Sequence, residues 1–322
     1  MPVLEAEAPV RHKTHERFQS LLARAQSHEP ITVAVAHPCD KVSLESVIEA
    51  ANLRLIVPIL VGPRDRIQKV AAMHGLDIRK FEMIDAEYSE QSATKAVELV
   101  REGKAEAVMK GSLHTDELMA AVVKRDTGLR TARRISHCFV MDVPGHDQPL
   151  VITDAAINIA PDLKAKADIV QNAIGLARAL GAREVRVAIL SAMETVNPDV
   201  PSTVEAAALC KMADRGQITG AVLDGPLALD NAISPKAAEI KKIASPVAGR
   251  ANVLVVPDLE AGNMLAKSLS FLADADAAGI VLGAKVPVIL TSRADEEVAR
   301  LASCAVAQLL VAARRQAPAA IQ

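Results

Sequence analysis

The chain has 322 residues, a formal net charge of −2, a hydrophobic fraction of 50% and only 2% aromatic residues. At about 150 residues per domain, this length favours two domains. The near-zero net charge and the scarcity of aromatic rings argue against nucleic acid as a partner, because such partners require basic surfaces and stacking platforms.

The cysteines indicate a reducing compartment. Cys39, Cys138, Cys210 and Cys304 are scattered, with no CxxC pair and no metal-ligand spacing, and the eight His residues form no ligand pattern. We therefore expect an intracellular protein without a metal site. Segment 1–18 lacks the apolar core of a signal peptide, and no apolar run approaches the ~20 residues that span a bilayer. We expect a soluble cytoplasmic protein with no membrane partner.

Short β-branched runs alternate with longer helical patterns, which predicts βα units around a mostly parallel sheet. Helical spacing predicts helices over 162–180, ended by Gly181, and over 297–313. Ser202 and Glu205 form a capping-box pattern at the start of a further helix. Strands are predicted over 31–36, 55–61, 105–109, 136–141, 150–153, 185–190, 220–223, 252–256 and 286–290.

Three polar segments each follow a predicted strand: DGPLALD from Asp224, PDLEAGN from Pro257 and TSRAD from Thr291. Ligands of parallel α/β sheets bind beyond the carboxyl ends of the strands, so these segments predict one shared cleft. In TSRAD, the Ser292 hydroxyl beside the Arg293 guanidinium suits an oxyanion or a phosphate. A plain helix start is the alternative interpretation of TSRAD.

The other two segments also have a functional and a structural interpretation. Asn263 is predicted to cap a helix over 264–271, where free N–H groups and Lys267 would form an anion site. The alternative is an ordinary helix entry at Gly262 and Asn263. In DGPLALD the alternative is a turn, in which Asp224 bonds the local backbone and Gly225 helps to bend the chain.

Further candidates precede these segments. KGSLHT presents donors after a predicted strand, although Asp116 and Glu117 would oppose an anion there; Thr115 as a plain N-cap is the alternative. The basic segment 130–134 is either a phosphate contact or a solvated edge. Cys39, in HPCD, is a candidate nucleophile, but a small buried Cys is the more common case. The donors in KGSLHT are Lys110, Ser112, His114 and Thr115.

Taken together, these motifs are more specific than any one of them. VMKGSLHT, ISHCFVMDVPG, DGPLALDNAIS, SPVAGRANVLVVPDLEAGNMLAKSL and PVILTSRAD, in this order and spacing, resemble the phosphate acetyltransferase/phosphate butyryltransferase family. The resemblance runs from about His37 to the C-terminus. GLRTARRISH and TSRAD look more like the butyryltransferase branch, or a short phosphate acetyltransferase close to it.

The resemblance implies reversible transfer of a short-chain acyl group, acetyl or butyryl, between coenzyme A and phosphate. The CoA thiolate would attack acyl phosphate directly in a ternary complex, without a tightly bound cofactor, in a homodimer. The implied fold is α/β, with two three-layer domains, mostly parallel sheets and an interdomain cleft, as in isocitrate and isopropylmalate dehydrogenases. Breaks at 142–149 and 279–285 divide the chain into 1–145 plus 284–322 and 146–283.

The resemblance also assigns roles. Ser292 would donate to the carbonyl oxygen as it becomes an oxyanion, and Arg293 would hold the phosphoryl group. The acid after this pair is matched best by Glu297, with Asp295 and Glu296 as rivals, because SRADEEVA is about two residues shorter than the acetyl-branch pattern. Substrate binding is expected at Lys110, Ser112, His114, Thr115, Arg133 (with Arg130 as its rival), Asp224, Gly225, Asp258, Gly262, Asn263 and Lys267.

Two other functions remain open at this point. A metal-dependent hydroxy-acid dehydrogenase of the shared fold would need clustered Asp residues, and Asp224 with Asp230 is the only tempting pair. A non-catalytic acyl-CoA or phosphate-binding protein would keep the fold without chemistry, although the Ser292–Arg293 pair argues against it.

Overall fold

The structure, a computed structural model, describes residues 16–291 and 296–316. It confirms an α/β fold with a mostly parallel sheet. The strands are β1 Ile31–Ala36, β2 Ile56–Gly62, β3 Glu82–Asp85, β4 Ala107–Lys110, β5 Ser136–Asp142, β6 Leu150–Thr153, β7 Arg186–Leu190, β8 Val222–Leu227, β9 Val253–Val255, β10 Asp276–Leu282 and β11 Val288–Ile289.

Helices connect the strands and cover both faces of the sheet. They are α1 Glu16–Gln26, α2 Lys41–Asn52, α3 Arg64–Met73, α4 Ser89–Arg101, α5 Thr115–Val123, α6 Leu163–Ala179, α7 Pro201–Asp214, α8 Leu229–Ile233, α9 Pro235–Ile240, α10 Leu259–Leu272 and α11 Glu297–Gln316. None of the helices in the described residues is long and apolar enough to cross a membrane.

All strands join one sheet in the order β3-β2-β1-β4-β11-β10-β5-β6-β9-β7-β8. Neighbours are parallel except at β11–β10, β10–β5 and β5–β6. Because of these three antiparallel pairs, the parallel strands on either side of β5 and β10 run in opposite directions. The carboxyl ends of β1, β4 and β11 therefore point one way along the strands, and those of β6, β7, β8 and β9 point the opposite way. The register through β11, β10 and β5 sets Met109 of β4 level with Thr153, the last residue of β6.

The two faces of the sheet are packed differently. On one face, here named the α11 face, helices α1, α2, α3, α6, α7 and α11 share one apolar cluster that runs from β2 to β7. On the opposite face, the α10 face, there are two separate clusters. One lies under α4 and α5, and the other under α8, α9 and α10.

The gap between the two clusters lies over the middle of the sheet. The helices that pack closely on β5, β10 and β11 are α6 and α11, and both belong to the α11 face. Within the described residues, no helix packs closely on the α10 face of these three strands. The two clusters meet over this strip, where Val281 and Val288 are buried in one and Met141 is buried in the other, and the boundary between the clusters is here named the cleft.

Most predicted strands are confirmed, but two strands are missing from the prediction, and one predicted helix cap is wrong. The strands β3 and β10 were not predicted, because EMID is short and DAAGIVL contains small residues that weaken its strand pattern. Gly279, placed at a chain break, lies inside β10. The capping box is wrong, because α7 begins at Pro201. Ser202 lies inside this helix and hydrogen-bonds Ser191.

Candidate active site

The exits of β1, β4 and β11 meet at one edge of the sheet. β1 and β4 pair in parallel with Ala36 opposite Lys110, and β4 pairs in parallel with β11 with Met109 opposite Ile289. This register brings the KGSLHT loop next to the start of TSRAD, where Thr291 is buried. Ser292, Arg293 and Asp295 themselves lie outside the described residues.

Lys110 is the buried cation of this edge. Its side chain is 7% exposed, and its Nζ donates to the carbonyl oxygens of Gly111 at 3.2 Å and Leu113 at 3.3 Å. These carbonyl oxygens stabilise the buried ammonium, since burial penalises an uncompensated charge.

The loop after β4 is held against the loop after β1. The Ser112 hydroxyl donates to the His37 carbonyl at 2.8 Å and accepts the Cys39 N–H at 3.2 Å. At Gly111, a Cβ would lie 2.5 Å from the Ala36 carbonyl oxygen, so only glycine allows this approach. Ser112 thus joins two strand exits.

The start of α5 is already neutralised. The Glu117 carboxylate accepts hydrogen bonds from the backbone N–H of His114, at 2.7 Å, and from the Ser89 hydroxyl. The hydrogen bond from Ser89 is the main cause of the lowered pKa of Glu117. The helix begins at Thr115, with His114 as its N-cap, so Thr115 as N-cap is wrong. His114 and Thr115 are exposed, and the carboxylate reduces the attraction of this helix end for anions.

Phe139, Gly279, Leu290 and Lys110 lie in one row across the middle of the sheet. Phe139 of β5 lies directly opposite Gly279 of β10. Continuing the register of β11 by one residue places Leu290 between Gly279 and Lys110. Phe139 and Leu290 are partly exposed, so a small ligand can reach apolar surface beside the buried ammonium.

A buried carboxylate marks the exit of β6, which the sequence analysis missed. Asp154 accepts the backbone N–H groups of Ala156 at 2.9 Å and Ile157 at 3.0 Å, and the Asn158 side-chain amide at 2.6 Å. The side-chain oxygen of Asn158 accepts a hydrogen bond from Nε of Arg134 at 2.6 Å. The strand-exit rule applied elsewhere would have found it, because Asp154 immediately follows a predicted strand.

The basic segment before β5 lies at this same edge. Arg133, the predicted second phosphate ligand, has its guanidinium 4.0 Å from the Asp168 carboxylate. Its neighbour Arg134 is anchored through Asn158 to the Asp154 network instead. The structure thus gives Arg134 a better-defined position than the sequence indicated.

The predicted N-cap at Asn263 is wrong. The helix begins at Leu259, four residues earlier, with Asp258 as N-cap accepting the Ala261 N–H at 2.8 Å. A carboxylate therefore occupies the helix end that was expected to bind an anion. Asn263 lies inside α10 and donates to the Ala155 carbonyl at 3.3 Å.

Gly262 and Asn263 nevertheless contact the loop after β6. A Cβ at Gly262 would lie 2.7 Å from the Asp154 carbonyl oxygen, so glycine lets α10 approach the loop after β6. Lys267, one turn further on, is exposed. This part of α10 supports the Asp154 loop rather than capping an anion.

Asp224 and Gly225 lie apart from the other exits. Both are inside β8, the edge strand, where the Asp224 carboxylate accepts the Gly225 N–H at 2.8 Å. β8 is six strand positions from β11, roughly 29 Å along the sheet at about 4.8 Å per strand. The prediction of one cleft for all three exits is therefore wrong for DGPLALD. The alternative interpretation predicted that Asp224 bonds the local backbone, and that hydrogen bond is present.

The two remaining candidates are the acid after Arg293 and Cys39. Glu297 is the first residue of α11 and is exposed, as is Glu296. Burial raises the pKa of the Cys39 thiol to about 11, which opposes the thiolate that nucleophilic catalysis needs. The described residues contain no group of three or more His, Cys, Asp or Glu arranged for a metal ion.

A cleft with a buried ammonium, an apolar floor and polar strand exits is typical of an α/β enzyme that acts on a small anionic substrate. The family model for phosphate acetyl/butaryl transferase matches residues 87–307. The chain is 64% identical over 304 residues to a phosphate acetyltransferase of Rhizobium meliloti, covering 94% of this chain and 96% of that protein. It is 42% identical over 293 residues to a phosphate butyryltransferase of Clostridium acetobutylicum, covering 91% and 97%.

Solved structures agree with these relatives. A branched-chain phosphotransacylase from Enterococcus faecalis V583 matches with a TM-score of 0.78 and 32% identity, over 87% of this chain and 99% of that chain. A 4-hydroxythreonine-4-phosphate dehydrogenase from Klebsiella pneumoniae matches with a TM-score of 0.55 and 13% identity, over 88% and 100%, which shows a shared fold alone.

The chain belongs to the phosphate acetyl/butaryl transferase family. It is an acyltransferase, and its reaction is the reversible transfer of an acyl group between coenzyme A and phosphate. The dehydrogenase and the non-catalytic binding protein are not favoured.

Proposed function

We propose that acyl transfer takes place in the cleft on the α10 face, at the edge where β1, β4 and β11 end. The observation that carries this proposal is the placement of buried Lys110 beside the exit of β11, next to the helix-free floor. Arg293 and Lys110 together supply the positive charge for the phosphoryl group. Ser292 donates to the carbonyl oxygen as negative charge develops on it.

The chemistry requires two substrates and no enzyme-bound intermediate. The CoA thiol, with a pKa of ~8.5 as a free thiol, loses its proton to Glu297 or a neighbouring acid. The thiolate attacks the acyl carbon of acyl phosphate, and the tetrahedral oxyanion collapses with phosphate as leaving group. Holding both substrates in one cleft makes this step effectively unimolecular. No tightly bound cofactor takes part.

Acetyl is the acyl group we propose as preferred. The support is the 64% identity to a phosphate acetyltransferase, against 42% to a phosphate butyryltransferase. We also propose the domain division 1–145 plus 284–322 and 146–283, since one cluster of the α10 face draws mainly on the first part and the other mainly on the second.

Thiol release from acetyl-, propionyl- and butyryl-CoA with phosphate tests the proposed function directly. We expect phosphate-dependent release, fastest with acetyl-CoA. Arg293→Ala should reduce kcat/KM by about 100-fold or more, because a charge-assisted contact to the phosphoryl group is lost. Arg101→Ala, at an exposed position in the last turn of α4, is the matched control and should keep wild-type kinetics. Wild-type-like kinetics for Arg293→Ala would remove it from the site.

A homodimer in the cytoplasm is proposed as the working state. The support is the set of exposed apolar side chains on α10, where Met264 is 62%, Phe271 is 79% and Leu272 is 85% exposed. The scattered cysteines support a reducing compartment. Light scattering should give a dimer mass for the wild type and a monomer mass for Phe271→Asp; a wild-type monomer would contradict the dimer.

A further inference from the structure

We propose that a cavity between α1 and the sheet binds a small amphipathic carboxylate. The cavity has a volume of about 230 Å³. Its buried apolar lining belongs to the cluster of the α11 face, on the side of the sheet away from the cleft. The inference is therefore independent of where acyl transfer takes place. The lining residues that carry it are Phe18, Leu21, Arg24, Val140, Ala278 and Ala302.

Small side chains create the cavity. α11 packs closely on both α1 and β10, and at this place the sheet contributes Ala278 and α11 contributes Ala302, which are 2% and 4% exposed. A methyl group fills less of the space between helices and a sheet than a Leu or Ile side chain does. Val140 of β5 and Leu21 of α1 complete an apolar wall. A hydrocarbon group bound against this wall would lose water favourably.

Arg24 supplies the cation for a carboxylate. Its Nη1 donates to the Leu180 carbonyl oxygen at 2.7 Å, and within residues 16–291 and 296–316 it forms no ion pair. A Cβ at Gly181 would lie 2.9 Å from Nη2, so this glycine lets the guanidinium lie against the chain after α6. A guanidinium has five N–H donors. Donors therefore remain for a ligand that approaches through the cavity.

The other charges of the lining are already engaged. Nη1 of Arg17 donates to the Asp142 carboxylate at 3.0 Å, and this ion pair carries no net charge. Asp276 also has an interaction partner. An anion can thus form a charge-assisted hydrogen bond with Arg24, whereas a cationic ligand would be repelled by it. The lining favours a carboxylate over an amine.

The cavity also joins the two parts of the chain. Arg24 lies on α1, in the first part of the proposed domain division, whereas Leu180 and Ala278 belong to the second. A ligand that contacts both parts binds the folded protein alone and stabilises it by mass action. Because the site is on the α11 face, the ligand should bind without displacing coenzyme A from the cleft.

Hexanoate is the probe, because it joins a carboxylate to a short alkyl chain. Titration calorimetry on the full chain should show hexanoate binding, with hexylammonium, of similar chain length and opposite charge, binding about tenfold more weakly or less. Arg24→Gln should weaken hexanoate binding about tenfold, because a charge-assisted hydrogen bond is lost. Ala278→Val adds methyl groups inside the cavity and should also weaken it. Saturating CoA should leave the hexanoate Kd unchanged.

The control is Arg101→Gln, the same substitution at an exposed position in the last turn of α4, which should keep the wild-type Kd. A wild type that binds no hexanoate, or that binds hexylammonium equally well, would overturn the proposal. An unchanged Kd in folded Arg24→Gln and Ala278→Val would do the same. Displacement of hexanoate by CoA would assign the ligand to the cleft, against the proposal. If Ala278→Val does not fold, Arg24→Gln decides, because Arg24 is exposed.

Discussion

The two faces of the sheet differ in the continuity of their apolar packing. On the α11 face, α11 packs on β10 and also contacts α1, α2 and α6, so one cluster extends across the middle of the sheet. On the α10 face, the apolar packing is divided over β5, β10 and β11, where Val281 and Val288 belong to one cluster and Met141 belongs to the other. Packing on the continuous face holds the two regions together, and the interruption on the opposite face provides a cleft.

This difference separates stability from chemistry in space. Residues in the continuous cluster should contribute mainly to the free energy of unfolding, because they lie on the side of the sheet away from the cleft. Residues at the interruption are partly exposed and contribute less to packing. Substitutions on each face therefore test the comparison.

Leu309→Ala should have the largest effect. Leu309 is buried in α11 within the continuous cluster, and removing a buried Leu side chain costs about 2–5 kcal/mol. Urea unfolding should show a lower midpoint, while kcat/KM per folded molecule stays within about twofold. A loss of kcat/KM above about tenfold in folded protein would contradict the separation of the two faces.

His137→Gln tests the buried floor of the cleft through pH. Burial lowers the pKa of His137 to about 4, from 6.5 when it is exposed, with the Asp154 charge opposing this shift. Between pH 4 and pH 6.5, His137 therefore binds a proton in the unfolded chain more strongly than in the folded protein. The stability from neutral His137 is therefore complete above pH 6.5 and is lost as the pH falls toward 4.

The expected loss for His137 is about 2 kcal/mol between pH 7.5 and pH 5. His137→Gln cannot titrate, so its unfolding free energy, measured in urea at both pH values, should fall by that much less than the wild type. His74→Gln changes an exposed His and should behave as the wild type does. An identical pH dependence in the wild type and His137→Gln would show that His137 is not buried as the neutral form.

Cys39→Ser should have the smallest effect. Cys39 belongs to the continuous cluster, and its thiol has a pKa raised to about 11 by burial. Activity should stay within about threefold of the wild type in the thiol-release assay. Loss of activity in folded Cys39→Ser, with normal stability, would instead point to a thiol-dependent mechanism.

Much of the fold could be predicted because most strands are recognisable from the local sequence pattern alone. β1 and β6 have the predicted bounds, and Gly181, with a φ of 86°, follows α6 as expected. β10 was missed because Ala277, Ala278 and Gly279 carry little strand signal, and only pairing with β5 and β11 makes them a strand. That strand determines the opposite directions of the two parallel regions.

The candidate site was predicted in part for the same reason. The motifs after β4 and β11 lie at one edge because parallel neighbours end together. Asp224 was grouped with them because its local pattern is the same, yet its strand is at the far edge of the sheet. Asn263 is not the cap, because Asp258, five residues earlier, competes for this role and accepts the Ala261 N–H as N-cap of α10.

The sequence by itself determined the α/β class, the strand exits and the family, since these depend on short-range periodicity and on motifs in a given order. Only the tertiary structure decided which exits lie together, that Asp154 and Arg134 are joined through Asn158, and that Phe139 lies beside Gly279 where the two clusters of the α10 face meet. Strand order and strand direction are set by contacts between residues far apart in the chain, and no local pattern specifies them.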